Sequence, residues 1–161
     1  MLIVSDTSPI INLATIGHLW LLPKIYEQII IPQSVYDEIV IVGTGEPGAD
    51  EVRLASWIEV RLCRPSVLWN QLQLELDAGE AEALALAVEL QADRVLIDER
   101  RGRQKAIELS LKPLGVLGIL LRAKQDNHIV QVKPLLDRLI DEADFFVHPR
   151  LYQDVLKLAN E

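Results

Sequence analysis

The chain has 161 residues and a formal net charge of −8. Half of the residues are apolar and only eight are proline, which excludes wholesale disorder and suffices for one domain with a real core. The excess of acid excludes nucleic-acid binding by general electrostatics, so any such contact has to be local and helped by a cation or a basic partner.

Leu2 to Ser5 is a short, β-branched apolar run and predicts a buried strand that stops at Asp6. It lacks a basic flank and carries that acid, so it is no signal peptide. Ser8 is a good N-cap and Pro9 suits the first helical position, ahead of Ile10, Ile11, Leu13 and Ala14. Asp6 therefore falls in a strand-to-helix turn, at the edge where open parallel sheets bind ligands, and is a candidate site residue. A plain capping role is the competing assignment. Gly17 to Pro23 reads as a turn and a short apolar helical piece. Ile29 to Ile31 predicts a second strand, closed by Pro32. Ser34 is placed to cap a helix carrying Val35, Tyr36, Ile39 and Val40, with Glu38 on it. Gly43 to Gly48 matches G-x-G-x-x-G on paper. Pro47 stands where the helix should start and no acid follows at the ribose position, so the stretch reads as a loop.

Asp50 to Ala55 predicts a helix, and Trp57 to Leu62 alternates like a strand near a sheet edge. Cys63 is the single cysteine; it rules out an intrachain disulfide, fits a reducing cytoplasm and reads as core filler. His18, His128 and His148 show no zinc-ligand spacing. Val67 to Leu76 predicts a helix. Asp77 to Leu90, dominated by alanine and leucine, is the strongest helix in the chain. Glu82, Glu89 and Asp93 fall along one stripe, expected to be its wet side. Glu80 lies about 200° round from Glu82 and shares a face with Ala83, Leu84, Ala87 and Val88. Such an acid either gains from the helix N-terminus at partial exposure or is a ligand aimed at a cation.

Val95 to Ile97 predicts another short buried strand that again ends at an acid, Asp98. The alternation of strands and helices predicts a parallel sheet. Beside Asp98 stand Arg100, Arg101, Arg103 and Lys105, the densest basic cluster in an acidic chain, read either as a solvated surface or as phosphate contacts. Leu111 to Leu114 adds a strand, and Gly115 and Gly118 open an apolar helix over Val116 to Ala123. Val132 to Ala143 and Arg150 to Asn160 are amphipathic helices with no evident chemistry, flanking the apolar Phe145-Phe146-Val147. No repeat, P-loop, nucleophile elbow or membrane-spanning run occurs.

These residues carry a resemblance. The segments Val4 to Ala14, Ile31 to Glu38, Gly79 to Ala87, Ala92 to Arg103 and Gly115 to Lys124, in this order, resemble the PIN-domain superfamily. Within it the chain looks like a bacterial and archaeal branch of PIN-like nucleic-acid-binding proteins related to VapC-type toxins. The resemblance runs from about residue 2 to the C-terminal helix. It implies a three-layer α/β/α sandwich around a central parallel sheet, as a single domain over 1–161 with the helices from about 132 packed on it. It also implies a Mg²⁺- or Mn²⁺-dependent endoribonuclease, with RNA as substrate, whose catalytic acids are Asp6, Glu38, Glu80 and Asp98. Of these, Asp6, Glu80 and Asp98 are expected to bind the metal. Glu80 stands where the wider superfamily often has Asp, a longer arm on the same chemistry. Thr7, Arg101 and Arg103 are the expected substrate contacts, with Ser8 and Glu99 as auxiliary groups. Many PIN nucleases are toxins paired with a small antitoxin, so such a partner, a cytoplasmic location and self-association as a homodimer are further expectations. A PIN-like module that holds RNA or protein without cutting is the alternative.

Overall fold

The computed structural model describes residues 1–161. Five strands, β1 (Ile3–Ser5), β2 (Ile29–Pro32), β3 (Ile58–Arg61), β4 (Arg94–Leu96) and β5 (Pro113–Leu114), form one sheet in the order β3-β2-β1-β4-β5. Every pairing is parallel. The pleat sends alternate residues to opposite faces. Ile3, Ile29, Ile31 and Leu96 enter a core of 26 buried residues, while Val4, Ile30, Val95 and Ile97 enter a second core of 13.

Helices cover both faces, giving the three-layer α/β/α sandwich. On the larger core lie α1 (Thr7–Thr15), α2 (Leu21–Tyr26), α8 (Val116–Gln125), α9 (Lys133–Glu142) and α10 (Pro149–Leu158). The last two contribute Leu135, Leu136, Leu139, Val155 and Leu156 to the same core as Ile10 and Leu13. The smaller core is covered by α5 (Val67–Leu72), α6 (Ala78–Glu89) and α7 (Arg100–Glu108). Between β2 and β3 run α3 (Gln33–Tyr36), a π-helical turn over Asp37–Val42, and α4 (Ala49–Leu54). The stretch from Gly43 to Gly48 is the expected loop and uses positive φ at Gly45 (84°) and Gly48 (93°), which glycine adopts without strain.

Strand order reverses beside β1. The chain builds outward from β1 through β2 to β3, then returns to place β4 on β1's other side. The chain leaves β1 into α1 on one face and β4 into α7 on the other. The crevice between these diverging exits is where open parallel sheets take ligands. The Asp6 N–H donates to the Leu96 carbonyl (2.8 Å), so the β1–β4 ladder holds its register to the point where the acids begin.

Three local expectations are corrected. First, α1 begins at Thr7, so Asp6 holds the N-cap position, its side chain makes no capping hydrogen bond, and Ser8 and Pro9 lie inside the helix. Asp6 thus has no cap to explain it. Second, Pro32, not Ser34, occupies the N-cap of α3; Ser34 sits within the helix. Third, Glu82 is not on a wet face: it is 3% exposed. Its carboxylate accepts the Ser34 N–H (3.2 Å) and the Cys63 N–H (3.4 Å). A helical wheel sees only its own helix, and the donors here come from the chain leaving β2 and β3. Pro32 offers no side-chain oxygen, so Glu82 caps α3 from outside. Glu89 and Asp93 are exposed, as expected. Removing the carboxylate in Glu82→Ala is expected to cost about 2–4 kcal/mol in chemical denaturation, from two orphaned amides plus a cavity, and Glu82→Gln clearly less.

Candidate active site

Four segments bring carboxylates to the crevice. Asp6 follows β1 and is 2% exposed. Glu38 arrives on the π-helical turn after α3; this wide turn, which a simple helical pattern does not foretell, directs Glu38 back toward α1. There its Oε2 accepts the Thr7 hydroxyl (2.7 Å). Gly79, in the first turn of α6, marks how close these groups come. A Cβ built there would lie 3.1 Å from Glu38 Oε2, 3.2 Å from Asp6 Oδ1 and 3.5 Å from Thr7 Oγ1. A methyl there would press on both carboxylates, which would have to give by a few tenths of an ångström.

Next to Gly79, Glu80 is 3% exposed. Oxygens of Asp77, Glu80 and Glu99 lie within 4.8 Å of one another, the spacing of a cluster able to hold one cation. Asp77 caps α6 by accepting the Glu80 N–H (2.8 Å). None of Asp6, Glu38, Asp77, Glu80 and Glu99 forms an ion pair with a lysine or arginine.

The electrostatics follow from that geometry. Burial is the largest influence on Asp6 and pushes its carboxyl up to about 7. The Thr7 amide opposes the shift, and the charges of Asp77, Glu38 and Glu99 add to it. Glu80 is also raised, first by burial and then by the adjacent Glu99 carboxyl, with the charges of Asp77 and Asp6 contributing. Buried acids that repel one another without a counter-charge need either protons or a cation.

Asp98 sits on the same edge but is held differently. Its Oδ1 accepts the Val116 N–H (2.7 Å) at the start of α8, and its Oδ2 accepts the Asn12 amide (2.8 Å). Burial raises its pKa, opposed by these two bonds and by the positive charge of Arg103. Gly115 permits the approach, because a Cβ there would fall 2.9 Å from Asp98 Oδ1 and 2.7 Å from an Arg103 guanidinium nitrogen. Thr7, Ser8, Asn12, Glu38, Asp98 and Glu99 line one cavity of about 500 Å³, closed on one side by Phe145 and Phe146.

The expected site residues are thus unevenly gathered. Asp6, Glu38, Glu80 and Glu99 converge, and Asp98 and Ser8 line the adjoining cavity. The Thr7 hydroxyl is 5% exposed as a residue and is engaged by Glu38. Arg103 lies beside Asp98. Arg101 is exposed; the Glu75 carboxyl is held down chiefly by Lys105, with Arg101 adding a little. Two members, Asp77 and Asn12, lie outside the expected set. Asp77 was discoverable as the first residue of an Asp-x-x-Glu start to a helix. Asn12 stood out only as the lone amide among Ile10, Ile11 and Leu13.

Fold and site together define an α/β/α domain with a carboxylate-rich ligand edge. The chain belongs to the PIN-domain family DUF3368, whose model matches residues 2–161. PIN domains are generally metal-dependent nucleases, and the acidic cluster is of the kind that chemistry uses. A PilT N-terminus domain protein, SSO1118, from the hyperthermophilic archaeon Sulfolobus solfataricus P2 shares the fold, with a TM-score of 0.57 and 20% identity over 76% of this chain and 93% of that one. No curated protein matches the chain. No helix is long and apolar enough to cross a membrane.

Proposed function

We propose that the protein is a metal-dependent endoribonuclease that hydrolyses RNA phosphodiester bonds and acts as the toxin half of a toxin–antitoxin pair in the cytoplasm. One observation carries the nuclease reading: Asp6 and Glu80, 2% and 3% exposed, face further acids with no basic side chain to neutralise them. All the available donors are carboxylate oxygens, which suit a hard divalent cation and leave room for its waters. Asp6 and Glu80 would hold it, with Asp77 and Glu99 completing the donor set. Asp98, fixed by Asn12 and Val116, borders the same space and would be a further carboxylate donor.

A Mg²⁺ or Mn²⁺ held there would supply Lewis acidity toward a water and the phosphate. Glu38, aligned by the Thr7 hydroxyl, would orient an attacking water and take its proton as the oxygen adds to phosphorus. The phosphorus–oxygen bond to the leaving ribose breaks, and the released oxygen is protonated from solvent. Arg103 meets a phosphate oxygen at the rim. The toxin role rests on the resemblance to VapC-type proteins. An adjacent reading frame for a short, partly basic protein, whose product suppresses cleavage on mixing, is its expected accompaniment.

The test is incubation with single-stranded and structured RNA in Mg²⁺, Mn²⁺ or EDTA. Cleavage that requires the metal supports the proposal, and cleavage indifferent to EDTA overturns it. Binding in every metal without cleavage assigns the chain instead to the non-cutting class of PIN-like modules. Gly79→Ala gives a sharper signature. Alanine favours the α6 helix by about 1 kcal/mol relative to glycine, yet its methyl crowds Asp6 and Glu38. Its expected outcome is an unchanged or higher Tm together with about 10-fold weaker Mn²⁺ binding by calorimetry.

A further inference from the structure

The motif analysis left Phe145-Phe146-Val147 without a role. This extended segment joins α9 to α10, and its side chains alternate. Phe145 and Val147 pack against the larger core, whereas Phe146 is 84% exposed and belongs to neither core. A phenylalanine left in water forgoes roughly 1.5–3 kcal/mol of burial. Phe146 stands at the junction of two spaces, the acidic cavity and an apolar groove of about 360 Å³. Asp98, Phe145 and Phe146 line both, so the two spaces adjoin. The groove is walled by Leu117, Leu121, Leu151 and Val155. Its charged lining groups are Asp98 and Arg103. Asp98 is occupied by Asn12 and Val116, while Arg103, though its charge reaches Asp98, forms no ion pair within 4.0 Å.

We propose that this groove is a subsite for one unstacked nucleobase of a single-stranded RNA, with Phe146 as its stacking platform and Arg103 meeting the adjoining phosphate. The proposal takes the identity of the strand from the nuclease reading above. A ligand entering the acidic cavity by a phosphate carries its neighbouring base to the mouth of the groove. A chain of net charge −8 cannot hold that strand by diffuse attraction, so affinity has to come from stacking and a few placed cations. The apolar walls present little hydrogen-bonding capacity, so the subsite distinguishes stacked from unstacked bases and large from small ones, not one base edge from another. Paired bases are excluded because their faces are already covered.

The test uses the full chain and a 12-nucleotide single-stranded RNA containing 2-aminopurine, with Ca²⁺ as the divalent ion for binding and Mg²⁺ or Mn²⁺ for turnover. Stacking on Phe146 is expected to quench the 2-aminopurine fluorescence. Phe146→Ser should abolish the quench and raise KM about 10-fold with kcat changed less than about 3-fold, in line with stacking by one base. Phe146→Trp should restore both. An equal quench and KM in wild type and Phe146→Ser overturn the subsite while leaving the nuclease intact. A quench lost in Phe146→Ser, in a protein that cleaves nothing, upholds the subsite and removes the nuclease reading. No quench in the wild type overturns the subsite outright. So does sedimentation showing that Phe146→Ser abolishes self-association without touching RNA binding, which makes this face a protein contact.

Discussion

Asp6→Asn is expected to lower metal-dependent RNA cleavage at least about 100-fold while making the metal-free protein more stable at pH 8. The two effects have one cause. Asp6 is a buried anion whose neighbours, Asp77, Glu38 and Glu99, are also acidic. The amide is nearly isosteric and neutral, so it removes the repulsion and with it an anionic donor. A residue kept for folding would show the opposite sign, because its loss would destabilise. Cleavage assays with Mn²⁺ and thermal melts in EDTA, run on the same preparations, separate the two cases. Loss of stability together with retained cleavage would assign Asp6 to the scaffold.

The second large effect is on the pH dependence of stability. An acid whose pKa is higher in the folded than in the unfolded protein stabilises the fold fully below its unfolded pKa, and that contribution is lost as pH rises through the folded value. Asp6 titrates near 7 when folded against an ordinary 3.8, and Glu80 and Asp98 are shifted in the same direction. In EDTA the Tm is therefore expected to fall between about pH 4 and pH 8, by on the order of 10 °C. Asp137 and Glu161, with lowered pKa values, work the other way at the acid end, and solvent screening weakens the half-exposed Asp137. Mn²⁺ or Mg²⁺ added at pH 8 is expected to recover most of the loss, because ion binding to the folded state alone stabilises it by mass action. At pH 5, protons occupy the same carboxylates and the ion should add little. A Tm that ignores pH in EDTA, or a metal increment of equal size at pH 5 and pH 8, would contradict the charge balance described for the crevice.

The sheet was legible because three apolar runs each stop at a turn signal and two of them stop at an acid. Asp6 and Asp98 could be placed on one edge from that pattern alone. Glu80 was legible as an acid on the wrong side of its own helix. Three things lay beyond a one-dimensional reading. Glu82 was misassigned because its partners, the Ser34 and Cys63 amides, come from elsewhere in the chain. The π-helical turn that swings Glu38 onto Thr7 has no local signature, since its residues suit an ordinary helix equally well. The close approach at Gly79 depends on two carboxylates that are 73 and 41 residues away in sequence. Spacing within a helix says nothing of either.

The shared ion is tested most directly by anomalous scattering from crystals soaked in Mn²⁺. A single strong peak at bonding distance from carboxylate oxygens of Asp6 and Glu80, absent from crystals of Asp6→Asn, is the predicted result. A crevice without a peak at saturating Mn²⁺, or a peak bound only to surface acids away from Asp6 and Glu80, would contradict it.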